Sequence, residues 1–142
     1  MKKLFSLFVV LGSLTVNAQS ITFNGCHPLF ENQDYVFVKE TTDASGRNVF
    51  STTPVDGEQS CGGLGTCEFK ILWNQTNSRW EFIADSGNGD FVSPHLIYYN
   101  SSTSLPNPPD LTLGTWIENV GHTGASCGGS LSVVNAIMTG AV

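Results

Sequence analysis

The stretch DSGNGD, from Asp85 to Asp90, brings two carboxylates and an amide oxygen together within six residues. Asp85, Asn88 and Asp90 supply the oxygen ligands that Ca²⁺ prefers. The stretch is not an EF-hand loop, because Gly87 occupies the third position and the distal glutamate is missing. A turn rich in glycine and aspartate between two strands explains the same residues without an ion. We therefore expect an ion-free turn and no cofactor, with calcium bound by these residues as the alternative.

Tyr98, Tyr99 and Trp116 are the aromatic residues that could stack on a ligand. The two tyrosines are consecutive, so on a strand their side chains point to opposite faces and one of them can face solvent. Many sugar-binding sites combine an exposed aromatic ring with neighbouring asparagine and aspartate side chains. The alternative is structural, with Leu96 and Tyr98 buried on one face while Tyr99 covers apolar surface on the other.

The sequence contains no recognisable catalytic motif. His27, His95 and His122 are scattered along the chain, and neither an HExxH nor a GxSxG pattern is present. Hydrogen-bonded or solvated histidines explain them better than a metal site assembled in space. Twelve acidic residues make some pair of facing carboxyls almost inevitable, so they do not identify a glycosidase. We therefore expect no enzymatic activity, and a small secreted hydrolase ranks third among the functions considered.

Residues 1–18 have the organisation of a secretory signal peptide. Lys2 and Lys3 precede a short apolar run, and Ala18 supplies a small residue at the cleavage site. The apolar run is too short to span the ~30 Å hydrocarbon core of a bilayer, which argues against a membrane anchor. We expect cleavage after Ala18, export to the cell exterior or the periplasm, and a single domain over residues 19–142.

The exported chain is strongly acidic. Once the leader is removed, four basic residues remain against all twelve acidic ones, a net charge of about −8. Such a surface repels phosphate backbones, so we expect no binding to nucleic acid. No second apolar segment approaches the length of a membrane span. The expected partner is a cell-surface protein or a glycan. The four basic residues are Lys39, Arg47, Lys70 and Arg79.

All four cysteines, Cys26, Cys61, Cys67 and Cys127, follow the signal peptide. An even number of cysteines in an exported chain predicts disulfides, here in one of three pairings. The short glycine-rich loop between Cys61 and Cys67 favours a small ring, which leaves Cys26 to pair with Cys127 and join the two ends of the domain. A zinc site is disfavoured, because this spacing matches no common ligand pattern.

Short β-rich runs separated by glycines, prolines and polar turns predict an all-β fold. We expect a single small antiparallel β-sandwich or open barrel of about seven strands, stabilised by disulfides. The predicted strands are Tyr35–Thr42, Val49–Thr52, Glu68–Trp73, Trp80–Ala84, His95–Asn100, Trp116–Val120 and Leu131–Met138.

The stretch ILWNQTNSRWEFI predicts a hairpin with a defined register. Strand alternation about an even-length turn pairs Trp73 with Trp80. The same register pairs Ile71 with Phe82, and Phe69 with Ala84. All of these residues share one apolar, aromatic face, so we expect the tryptophans to line the core, with an exposed stacking platform as the alternative.

The chain also resembles a known group of modules. The succession of GC near the start, ILWNQTNSRWEFI, LIYYN, SLPNPPDLTLGTW and a late SCGG is similar to repeated modules in large secreted and cell-surface proteins of Bacteroidota, often exported by type IX secretion. The resemblance covers residues 22 to 142 and carries no catalytic residues. It implies a secreted or cell-surface, non-catalytic binding or structural module related to adhesion or matrix. A carbohydrate-binding module is the second choice.

Overall fold

The computed structural model describes residues 19–31, 34–52, 67–86, 89–131 and 137–139. The expected signal peptide, residues 1–18, lies outside these ranges. Within them, eight strands and two four-residue helices follow one another: β1 (Ser20–Asn24), α1 (His27–Phe30), β2 (Tyr35–Thr42), β3 (Asn48–Thr52), β4 (Cys67–Asn74), β5 (Arg79–Ser86), β6 (His95–Asn100), β7 (Ile117–Glu118), α2 (Val120–Thr123) and β8 (Ile137–Thr139). In this part of the chain no helix has the length and apolarity to cross a membrane.

All eight strands belong to one sheet, in the order β7-β6-β5-β4-β3-β2-β1-β8. Every neighbouring pair runs antiparallel. The predicted all-β fold is therefore confirmed, in the form of an open barrel, because the described strands make one curled sheet rather than two stacked sheets.

The predicted strands agree with the structure in the middle of the chain and differ towards its ends. β2 and β6 have the predicted bounds, whereas β1 has no counterpart among the predicted strands. β7 is shorter than predicted, because α2 already begins at Val120. Of the predicted strand Leu131–Met138, Leu131 forms an isolated bridge to Trp116 and β8 covers Ile137–Thr139, whereas residues 132–136 lie outside the described ranges.

The sheet curls so strongly that side chains from distant strands meet. β1 and β5 are four strands apart, which would separate them by ~19 Å in a flat sheet. The rings of Phe23 on β1 and Phe82 on β5 nevertheless have centroids only 4.9 Å apart. Phe23 also lies 6.2 Å from Tyr98, one strand further along the sheet. The inner face of this half-barrel therefore encloses one aromatic core.

The core is filled by every second residue of the inner strands, as the period of two in a β-strand requires. β3 and the first part of β4 alternate between buried and half-buried side chains. Phe30 of α1 closes one end, with its ring 5.2 Å from that of Phe69. The largest fully buried side chains are Trp80, Trp116, Tyr35, Tyr98, Phe23, Phe37, Phe50, Phe69 and Phe82.

The β4–β5 hairpin has the predicted register, with Trp73 opposite Trp80, Ile71 opposite Phe82 and Phe69 opposite Ala84. The two tryptophans differ in burial. Trp80 is fully buried, whereas Trp73 is only half-buried and packs against the edge of the core. Their rings meet edge to face, with centroids 5.9 Å apart. One tryptophan thus belongs to the core, and the other reaches the surface.

The Cys26–Cys127 disulfide joins the two sides of the half-barrel. Cys26 follows β1 and Cys127 follows β7, and these strands would lie roughly 29 Å apart in a flat sheet. Their Cα atoms are 4.1 Å apart, so the predicted pairing is confirmed. Cys67 is also disulfide-bonded, and its expected partner, Cys61, lies outside the described residues.

Because successive strands run in opposite directions, the connections between them lie alternately at the two ends of the half-barrel. The β2–β3 turn (43–47), the β4–β5 turn (75–78) and the β6–β7 connection (101–116) lie at the same end, which we call the turn end. The Cys26–Cys127 bond lies at the opposite end, which we call the disulfide end.

A buried carboxylate attaches the disulfide-bearing loop to the sheet. Glu118, at the end of β7, is 5% exposed. One of its oxygens accepts hydrogen bonds from the Cys127 backbone N–H at 2.9 Å and from the Thr123 hydroxyl. The other accepts the Gly129 N–H at 2.7 Å. Three donors compensate for the burial of this charge, since hydrogen bonds to a carboxylate are stronger than neutral ones.

We expect Glu118→Gln to lower the free energy of unfolding by about 2–4 kcal/mol, because an amide NH₂ would replace one acceptor oxygen and leave a buried backbone N–H without a partner. Glu40→Gln is the matched control. Glu40 forms an ion pair with Lys70 and its side chain is 47% exposed, so its loss should change stability by less than about 0.5 kcal/mol. Denaturant unfolding of the oxidised proteins measures both values, and equal losses would contradict this role of Glu118.

Candidate ligand-binding site

The aromatic residues predicted to bind a ligand do not form a common surface. Tyr98 and Trp116 are fully buried. Tyr98 lies in the aromatic core, and the Trp116 indole N–H donates to the carbonyl of Pro109 at 3.0 Å. Tyr99, on the opposite face of β6, is half-buried beneath the guanidinium of Arg79, 4.4 Å from its ring centroid. The curl of the sheet turns two of the three rings into the core, and ligand binding by this set of residues stays a prediction.

The carboxylates of the DSGNGD stretch are tied to nearby backbone amides. Asp85 belongs to β5 and is buried, and it accepts the N–H of Phe91 at 3.2 Å. Asp90 accepts the N–H of Val92 at 2.9 Å. Asn88 lies outside the described residues. Among the described residues no group of three or more histidine, cysteine or acidic side chains could hold a metal ion, and calcium binding here stays a prediction.

Two histidines meet at the disulfide end. The imidazole rings of His95 on β6 and His122 on α2 stack at 4.4 Å between centroids and 14° between planes. Burial, followed by the nearby charge of His95, lowers the pKa of His122 below its ordinary value of 6.5. His27 is separate from this pair and bonds to the side chain of Asn24 at 2.7 Å.

The lowered pKa of His122 predicts a pH-dependent stability. The unfolded chain binds this proton more readily than the folded chain, so the stabilisation is complete above about pH 6.5 and is lost as the pH falls through the lower, folded pKa. His122→Asn should reduce the loss of stability on going from neutral to mildly acidic pH. Denaturant midpoints at a series of pH values measure the effect. An unchanged pH profile in the variant would contradict it.

The β2–β3 turn is held in place by a single carboxylate oxygen. Asp43 Oδ1 accepts the N–H of Ser45 at 2.8 Å, the N–H of Arg47 at 3.0 Å and the hydroxyl of Ser45 at 2.7 Å. Gly46 completes the turn at φ +82°, a conformation that a side chain would strain. The second oxygen, Oδ2, has no hydrogen-bond partner among the described residues.

The surroundings keep Asp43 ionised. Burial alone would raise the pKa of its carboxyl. The hydrogen bonds from Ser45 and Arg47, together with the positive charge of Arg47, outweigh burial and lower the pKa below its usual value. At neutral pH the group is therefore a carboxylate that can only accept hydrogen bonds.

Arg47 connects three parts of the turn end. Its guanidinium lies 3.9 Å from the centre of a Trp73 ring. It donates to the carbonyls of Ser104 at 3.2 Å and Thr103 at 3.3 Å in the β6–β7 connection, and to the Ser45 hydroxyl at 3.1 Å. Cation–π and hydrogen-bond contacts of this kind hold both the arginine and the indole in one orientation.

An open groove of about 540 Å³ lies between the β2–β3 turn and the start of the β4–β5 turn. Trp73 contributes an aromatic wall, and its indole N–H donates to Gln75 Oε1 at 3.1 Å. That bond occupies the amide oxygen and leaves the NH₂ group of Gln75 without a partner among the described residues. The lining residues are Asp43, Ala44, Ser45, Trp73 and Gln75.

A second cavity, of about 190 Å³, lies on the outer face of the sheet. The ammonium group of Lys70 lies there 3.2 Å from the Glu40 carboxylate and 4.6 Å from the centre of the Phe91 ring. This cation is thus already paired with a charge and a ring of its own chain. The larger groove is the better candidate, since it offers both a hydrogen-bond acceptor and a donor that have no partner among the described residues.

Sequence reasoning singles out Trp73 but does not identify the groove. The sequence identifies Trp73 as a hairpin residue, and the residues DASGRN (43–48), which contain the β2–β3 turn, have the composition of a β-turn. They become neighbours because β2, β3 and β4 are adjacent in the sheet. No family model, curated protein or solved structure matches this chain.

Proposed function

We propose that this chain is a secreted or cell-surface binding module without catalytic activity, related to adhesion or matrix, and that its ligand occupies the groove beside Trp73. The observation that carries the proposal is the groove itself. Its volume of about 540 Å³ falls within the range of ~300–1,000 Å³ that is usual for ligand sites.

The position of the groove supports a binding role. It is formed by turns at the mouth of a half-barrel, where a rigid scaffold presents loop side chains to solvent. The Asp43 carboxylate and the Arg47 guanidinium hold these turns in place through hydrogen bonds. Groups that are already ordered lose less conformational entropy when a ligand binds.

Several features favour a location outside the cytoplasm. The leader has the pattern of a signal peptide, and the Cys26–Cys127 bond is of a kind that persists in oxidising compartments. The resemblance to modules of Bacteroidota surface proteins points the same way. A glycan or a cell-surface protein is the partner expected for such a module.

The proposal can be tested by blocking the groove with a bulky side chain. Ala44 is exposed and lines the groove, so Ala44→Trp should fill it without disturbing the core. Thr76→Trp is the matched control, because Thr76 is exposed on the β4–β5 turn but does not line the groove. The full chain, expressed for export and purified in oxidised form, would be tested on a glycan array, on insoluble polysaccharides and on immobilised collagen and fibronectin.

We expect the wild-type protein and Thr76→Trp to be retained on the same probe, and Ala44→Trp to lose this retention. Circular dichroism and melting temperature confirm that all three proteins fold alike. Equal retention of the two variants would show that the groove is not the binding surface. No retention of the wild type on any of these probes would also contradict the proposal.

A further inference from the structure

We infer that the ligand of this groove is a neutral saccharide. The inference rests on the proposed function, because it takes the groove as the binding surface and specifies what the groove selects. Its basis is the combination of an ionised acceptor, an amide donor and a partly exposed indole, which Asp43, Gln75 and Trp73 bring to one opening.

The polar groups of the groove match the hydroxyl groups of a sugar. Oδ2 of Asp43 can accept a hydrogen bond and the NH₂ group of Gln75 can donate one, since neither has a partner in the described part of the chain. A sugar hydroxyl does both, so neighbouring hydroxyls of one ring can satisfy the acceptor and the donor together. A hydrogen bond in which one partner is ionised is also stronger than a neutral one.

The indole of Trp73 supplies the apolar part of such a site. Arg47 packs on the ring, Trp80 meets it edge to face, and Gln75 holds its N–H. These contacts order the side chain before a ligand arrives. Arg47 is not among the groove-lining residues, so the part of the indole that lines the groove, together with the Ala44 methyl group, remains available to the C–H groups of a sugar.

The charge of the site selects against anionic ligands. Asp43 is ionised, and the protein as a whole carries a net charge of −6. Arg47, the nearby cation, is engaged with Trp73, Ser45 and two carbonyls. Because these partners are neutral, Arg47 keeps its positive charge, but it does not line the groove. A uronate or a sulfated sugar would therefore meet the Asp43 carboxylate at the opening without a groove-lining cation to pair with.

The location of the groove disfavours an extended peptide as the ligand. Peptides that bind β-proteins often add a strand to a free sheet edge. The groove lies instead at the ends of β2 and β4, which are interior strands of the sheet. The unpartnered groups there belong to side chains, which suits the scattered hydroxyls of a saccharide better than the regular N–H and C=O groups of a peptide backbone.

Isothermal titration with defined oligosaccharides tests the inference. The probes are neutral gluco-, manno- and galacto-configured oligomers and a uronic acid oligomer of the same length. Gln75→Glu keeps the oxygen that accepts the Trp73 N–H but removes the amide donor. Asp43→Asn keeps an oxygen for the turn but removes the charge. Thr76→Ala, on the β4–β5 turn outside the groove, is the matched control.

We expect at least one neutral oligomer to bind, and the uronic acid oligomer to bind at least about tenfold more weakly. Gln75→Glu should weaken neutral binding about tenfold, the effect of one lost hydrogen bond. Asp43→Asn should weaken the binding of the neutral oligomer. It should also reduce the difference in affinity between the neutral oligomer and the uronic acid oligomer. Thr76→Ala should bind like the wild type.

The inference would be overturned if Gln75→Glu and Asp43→Asn both bound the neutral oligomer with unchanged affinity. It would also be overturned if the wild type bound the uronic acid oligomer more tightly than the neutral one. These experiments distinguish a wrong saccharide assignment from a wrong binding surface. If the wild type binds no oligosaccharide but is retained on collagen or fibronectin, and Ala44→Trp abolishes this retention, the saccharide inference fails and the binding groove stands. If Ala44→Trp changes no binding, the proposed function fails as well.

Discussion

The bond between Cys26 and Cys127 is the constraint on which the rest of the structure depends. A curled sheet that is not closed by strand pairing leaves its inner face open on one side. The disulfide joins the two sides across a separation of 101 residues, and in the chain-entropy model such a link stabilises the fold by on the order of 4–5 kcal/mol. The Glu118 carboxylate supports the same junction by binding the loop that carries Cys127.

The described residues at the two ends of the half-barrel differ in the groups that they offer to a ligand. At the disulfide end, the core is covered by Phe30, and the Glu118 carboxylate is occupied by backbone donors. At the turn end, Asp43 and Arg47 satisfy the backbone of the turns, and one carboxylate oxygen and the Gln75 amide nitrogen are left without partners among the described residues. Among the described residues, the end opposite the covalent link is thus both ordered and accessible, which supports the binding surface proposed there.

Local features were predictable from the sequence, whereas those that depend on the curl were not. The register of Trp73 opposite Trp80 follows from strand alternation and an even turn, both of which act over a few residues. Alternation also places Tyr98 and Tyr99 on opposite faces, but it does not say which face becomes the interior. That choice is made by contacts between distant strands, such as Phe23 with Tyr98. The groove was missed for a different reason, because its two walls are far apart in sequence and become neighbours only through the pairing of β3 with β4.

The most direct test of the binding site uses the indole N–H signals of the three tryptophans. Trp73 is half-buried and lines the groove, whereas Trp80 and Trp116 are fully buried. In a ¹⁵N-labelled sample titrated with a neutral oligosaccharide, the Trp73 signal should shift most and saturate with the ligand, while the Trp116 signal stays in place. A shift of Trp116 without one of Trp73, or no shift of any indole signal, would contradict a saccharide site at the turn end.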